Sequence, residues 1–146
     1  MKKFLLSAIL LSGLAVCAQV NIQKSLETFE KAFQNKDYNS MKELLAPQFT
    51  VGTGDSSSNE FYLNGIFNAL PALDSLQIGK SVVVKKETRV PVHFFFKGKD
   101  KKASEIVFTE ANKILYVTYF DKLYGVDRNA EVKKVASIPF EILEGG

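Results

Sequence analysis

The chain has 146 residues, 46% of them hydrophobic and 24% charged, which suits one folded domain and excludes a disordered or low-complexity polypeptide. A formal net charge of +3, spread without a basic stripe, gives no support to nucleic-acid binding. One cysteine and one histidine exclude a disulfide framework and leave too few soft ligands for an ordinary protein-built zinc site.

Residues 1–18 have the three parts of a secretory signal peptide. Lys2 and Lys3 form a positive start, an apolar run extends from Phe4 through Leu14, and Val16-Cys17-Ala18 places small or modest residues ahead of a cut between Ala18 and Gln19. The run is shorter than the roughly 20 residues that span a bilayer. It has no polar face, which argues against a buried amphipathic helix. The pattern predicts export to the periplasm or the extracellular space, with membrane contact only during passage. Leu14-Ala15-Val16-Cys17 resembles a bacterial lipobox, which would anchor the protein through a lipidated Cys17; Val16 departs from the small residue that motif requires. Cleavage before Gln19 leaves 128 residues with 17 basic and 16 acidic side chains and no cysteine, so the mature domain depends on its core alone.

Ile22, Leu26, Phe29 and Phe33 recur at spacings of four, three and four, the apolar stripe of a first helix. Ser40-Met41-Lys42-Glu43 has the form of a capping box opening a second helix that Pro47 ends. Phe49-Thr50-Val51 reads as a short strand and Gly52-Thr53-Gly54-Asp55 as a turn. Ser57-Ser58-Asn59-Glu60 is another capping box, opening a third helix with Phe61, Tyr62, Ile66, Phe67 and Leu70 before Pro71.

From Leu76 onward the period changes to that of strands. Leu76–Lys85, with a bulge near Gly79, Arg89–Phe96, Ser104–Thr109 and Ile114–Phe120 are the four expected strands. The polar segments between them predict an antiparallel meander. Helices first and strands afterwards indicate an α+β fold, with the N-terminal helices packed on one face of a curved antiparallel sheet. Val90, Val92, Phe94 and Phe96 share one face of their strand, Pro91, His93 and Phe95 the other; the second face is apolar enough to be the candidate surface for a homodimer or a protein partner.

This order of elements resembles the nuclear-transport-factor-2-like superfamily, also called SnoaL-like or cystatin-like cone folds. The stretch from Phe29-Glu30-Lys31-Ala32-Phe33 through Lys36-Asp37-Tyr38 to Leu44-Leu45-Ala46-Pro47-Gln48-Phe49 is similar to the opening of many such domains. The resemblance covers residues 20 to about 124 and carries no catalytic signature. It implies a domain over residues 19–124 with a pocket between helices and sheet, for which Phe33, Tyr62, Phe94, Tyr116 and Tyr119 are the lining candidates.

Residues 125–146 continue past that domain as a linker and an extra strand. Phe120-Asp121-Lys122-Leu123-Tyr124-Gly125 and Ile138-Pro139-Phe140-Glu141 resemble the junction at which exported bacterial proteins pass into a retropepsin-like aspartic protease domain. An edge strand closing the same domain fits the pattern equally well.

The common catalytic motifs are absent: there is no glycine-rich nucleotide loop, no His-Glu-x-x-His, no Cys-x-x-Cys and no Gly-x-Ser-x-Gly. No cofactor, metal or catalytic residue is therefore assigned. His93 and Asp121 are the weak polar candidates: the imidazole titrates near neutrality, and the carboxyl sits at an expected strand end. For His93 a plain position on the outer sheet face is the stronger reading, and tyrosines in such places mostly fill a core with the hydroxyl at its rim. The sequence favours an exported, non-catalytic domain that binds an unidentified small molecule or protein. The alternative is a free-standing isomerase, lyase or hydrolase of the ketosteroid-isomerase-like kind, which needs convergent polar groups in the pocket.

Overall fold

The computed structural model describes residues 21–128. The leader with Cys17, Ala18 and Gln19, and the expected strand after residue 137, lie outside the described residues.

Helix α1 (residues 21–34) buries the predicted stripe: Ile22, Leu26, Phe29 and Phe33 all face the core. A turn through Lys36, at a φ of 52°, leads to helix α2 (Tyr38–Lys42). Its cap is Asp37, whose carboxylate accepts the Ser40 N–H, so the helix starts two residues before the expected capping box. Helix α3 (Asn59–Ala69) follows a short 3-10 turn (Ser56–Ser58) that Asp55 caps through the Ser57 N–H; the N-cap of α3 itself is Ser58, whose side chain makes no capping bond. Leu63, Ile66 and Phe67 form the buried side of α3, whereas Phe61 is 77% exposed and lies off the expected apolar face.

Five strands make one antiparallel sheet: β1 (Leu73–Ile78), β2 (Val82–Val84), β3 (Glu87–Phe96), β4 (Lys102–Phe108) and β5 (Ile114–Val117). The strand expected over Leu76–Lys85 is two strands, β1 and β2, both lying along the same edge of the long β3. They break at Gly79, whose N–H bonds to the Pro91 carbonyl at 2.8 Å. A Cβ at Gly79 would sit 2.9 Å from Pro91 Cγ, so this close backbone approach requires glycine. Opposite, β4 pairs with β3 and β5 with β4.

Two further expectations are corrected. Residues 49–51 form no strand, although Phe49 and Val51 are buried; instead Leu45 makes a parallel bridge to Ile114. The last strand ends at Val117, and Thr118–Leu123 form helix α4. Tyr-Val-Thr-Tyr-Phe is strand-forming by propensity, but tertiary hydrogen bonds override it. Ser104 Oγ of β4 accepts the Tyr119 N–H at 3.0 Å, and Thr118 Oγ1 accepts the Glu105 N–H at 2.8 Å. Hydroxyls thus replace the main-chain ladder at the point where the chain turns into a helix.

The core lies between α1, α3 and α4 and the concave face of the sheet. It contains Val90, Val92, Phe94 and Phe96 of β3, the four residues expected on that face. The fold is therefore α+β, with helices packed on one face of a curved antiparallel sheet.

Candidate functional site

The expected place for a ligand is the space between helices and sheet. In this chain seven rings occupy it. Phe33 lies 5.3 Å from Phe67, 5.8 Å from both Phe96 and Phe120, and 5.9 Å from Phe94, centroid to centroid. Phe29 continues the cluster at 6.2 Å from Phe94 and 6.1 Å from Phe120, and Tyr119 closes it at 5.5 Å from Phe94. These spacings are ordinary aromatic contacts. Phe29, Phe33, Phe67, Phe94 and Phe120 are each at most 1% exposed, so their side chains face one another and not solvent.

The five expected lining residues divide among three places. Phe33, Phe94 and Tyr119 come together in this cluster, where burial raises the Tyr119 phenol above its usual pKa of 10. Tyr62 packs on the rim of the core, edge-on to Tyr124 at 4.8 Å, with its main-chain oxygen accepting the Tyr124 hydroxyl. Tyr116 lies on the opposite face of the sheet: it pairs with Val107 in β4, and both alternate with core residues. The Arg128 guanidinium covers its ring at 4.3 Å, a cation–π contact. Burial again raises the phenol, opposed by the charges of Arg89 and Arg128.

The two polar candidates are also separated. His93 faces outward from β3, with Nδ1 3.3 Å from Gln77 Oε1 on β1. Asp121, in α4, is 1% exposed and has a partner on each oxygen. Its Oδ1 accepts the Gly52 N–H at 2.8 Å, and its Oδ2 accepts Arg128 Nε at 2.6 Å. Arg128 Nη2 also donates to Thr50 Oγ1 at 3.0 Å. The carboxylate therefore ties the 50–52 loop and the segment after α4 to the domain. A general base needs a free lone pair directed at substrate, and both oxygens here are engaged by the chain itself.

Sequence reasoning did not find Arg128 and Gly52 as partners of Asp121, or Thr50 as a partner of Arg128. Arg128 is seven residues from Asp121, and no local pattern marks the contact; the turn signal at Gly52 was visible, but not what its N–H bonds to. Among the described residues, no group of three or more histidine, cysteine, aspartate or glutamate side chains is arranged to hold a metal ion, and no helix is long and apolar enough to cross a membrane.

No protein-family model matches the chain, and no curated protein matches it. Solved structures are similar at the level of architecture. A de novo designed protein with a curved β-sheet is 19% identical, with a TM-score of 0.46 over 66% of this chain and 81% of its own. A Campylobacter jejuni protein described as an NTF2-like transpeptidase is 12% identical, with a TM-score of 0.43 over 64% of this chain and 94% of its own. An M. tuberculosis LEH-like epoxide hydrolase is 12% identical, with a TM-score of 0.44 over 84% of this chain and 97% of its own.

Proposed function

We propose that this chain is an exported, non-catalytic domain that acts by binding a partner at its surface. The observation that carries the reading is the filled interior. Small-molecule sites are concave, with a few convergent polar groups over an apolar lining. Here the interior is a packed set of phenylalanine rings with one phenol, and the buried acid nearest to it is held by Gly52 and Arg128. An isomerase-like mechanism would need an uncommitted base and an oxyanion donor side by side, whereas Asp121 is engaged and His93 stands on the far side of the sheet.

The test is binding of small apolar molecules, from indole to steroid size, followed by NMR on the ring protons of Phe33, Phe94 and Tyr119. No saturable shift of these resonances is expected. A stoichiometric, saturable shift at all three would overturn the reading and restore an enclosed ligand site.

Export is supported by the tripartite N-terminus, and N-terminal sequencing of secreted material starting at Gln19 would establish it. The tail pattern from Phe120 to Glu141 is compatible with placement ahead of a retropepsin-like protease and, equally, with an edge strand closing the same domain. An open reading frame beyond Gly146 reaching an Asp-Thr-Gly or Asp-Ser-Gly segment would support the first; a stop codon there removes it.

A further inference from the structure

The edges of the sheet are treated unequally. At the β5 edge, the Ile114 N–H bonds to the Leu44 carbonyl and the Ile114 carbonyl accepts the Ala46 N–H, so the 44–46 segment closes it. At the β1 edge, side chains of α1 do the same work: Glu30 accepts the Leu76 N–H at 3.1 Å, and Gln34 donates to the Asp74 carbonyl at 3.0 Å. Among the described residues, strand β2 has neither device and pairs only with β3; Val82, Val83 and Val84 are 56%, 70% and 42% exposed. Three exposed valines on an open edge form a template for another strand unless something guards them.

Two surrounding features point to what that strand is. Beside β2 an open cleft of about 340 Å³ lies between the start of α1 and the β1–β2 break, lined by Ile22, Leu26, Ile78 and Val90. Val83 and Val90 project to the same side of the sheet, so alternate side chains of an added strand would enter this cleft. Exposed Lys80, Lys85 and Lys86 frame the valines, with no acidic residue between Ile78 and Lys86. Lys85 and Lys86 form the turn into β3, so a second copy paired antiparallel about Val83 would bring its Lys80 end near the other copy's Lys85–Lys86 turn, like charge beside like. The lysines therefore oppose self-pairing and favour a strand with carboxylates at its ends.

We propose that β2 is a strand-addition site for an extended apolar segment of a partner protein flanked by acidic residues. The proposal deepens the partner-binding reading by naming the partner's chemistry, and it fails separately from it: ligand entry into the ring cluster would overturn that reading, whereas the peptide results below bear on β2 alone. The test uses two labelled peptides, Glu-Val-Thr-Val-Thr-Val-Glu and its counterpart with terminal lysines, titrated against the whole protein by fluorescence anisotropy. The Glu-framed peptide should bind about tenfold more tightly at low salt, with the gap closing as salt is added. Replacing Lys80, Lys85 and Lys86 together by Glu should reverse the preference, an outcome that a merely unfolded variant cannot give. Val83→Glu should weaken both peptides.

Equal affinities, absence of binding, or an unreversed preference would overturn the proposal. So would a concentration-dependent dimer in light scattering that Val83→Glu dissolves, since the occupant would then be a second copy. Peptide binding that appears only after Phe140→Asp and Ile142→Asp would assign the edge to the chain's own Ile138–Glu144 segment and overturn it as well.

Discussion

Replacing Phe33 by alanine gives the sharpest test of the filled interior. The ring is 1% exposed and contacts those of Phe29, Phe67, Phe94, Phe96 and Phe120 at 5.3–6.2 Å, so its neighbours come from α1, α3, β3 and α4 at once. Helices and a strand held apart by five other rings cannot close the space, and the loss should lie at the upper end for such a change, about 4–5 kcal/mol. With a slope of about 1.5–2 kcal/mol/M, the urea midpoint should fall by roughly 2–3 M. Because a domain of this size has only about 5–15 kcal/mol in total, Phe33→Leu is the companion variant, expected to lose about 1–2 kcal/mol and stay folded. Urea unfolding followed by circular dichroism measures both. The alanine cavity would be dry and apolar, so benzene should raise the thermal midpoint of Phe33→Ala and leave the wild type unchanged. A loss below about 1 kcal/mol for Phe33→Ala, or benzene stabilisation of the wild type, would refute the packed-interior argument.

Further predictions concern the polar contacts and turns. Arg128→Ala should cost about 2–3 kcal/mol in urea unfolding, because it strands a buried carboxylate, whereas Asp121→Asn, which removes the charge with little change of shape, should cost about 1–2 kcal/mol. The double variant should lose less than the sum, and strict additivity would show that the pair is not coupled. Gly52→Ala should destabilise the domain by about 1–2 kcal/mol in thermal melts, since Gly52 has a φ of 60° and a Cβ there would lie 2.9 Å from Tyr124 Cβ. Tyr116 and Tyr119 have phenols raised above 10 by burial, so the stability they lend is complete below pH 10 and is lost as pH rises through their higher folded values. Ultraviolet titration should show them ionising after free tyrosine. Asp37 and Asp55 are held below 3.8, chiefly by the Ser40 and Ser57 hydroxyls, so their capping contribution is present above pH 3.8 and lost as pH falls through the lower folded values. Asp37→Asn and Asp55→Asn should flatten the acid limb of the stability profile.

Periodicity determined much of this protein. The four-three-four spacing of Ile22, Leu26, Phe29 and Phe33 and the alternation through Val90, Val92, Phe94 and Phe96 identified the two faces that meet in the core, because burial acts on a helix every 3.6 residues and on a strand every second one. The order of helices and strands gave the α+β class for the same reason. Tertiary contacts decided the rest. Thr118–Phe120 has the composition of a strand, yet a hydroxyl on β4 and another on Thr118 take the ladder bonds and turn the chain into α4. Asp37 caps α2 and Asp55 caps the 3-10 turn ahead of α3, while Ser58 at the start of α3 makes no side-chain capping bond, since several nearby oxygens compete for the same N–H groups and only three-dimensional placement selects one. Phe33, Phe94 and Tyr119 could be proposed as pocket residues from their chemistry. Whether aromatic side chains line a cavity or fill it depends on how many rings reach the same space, and that is set by the distances between elements far apart in the chain.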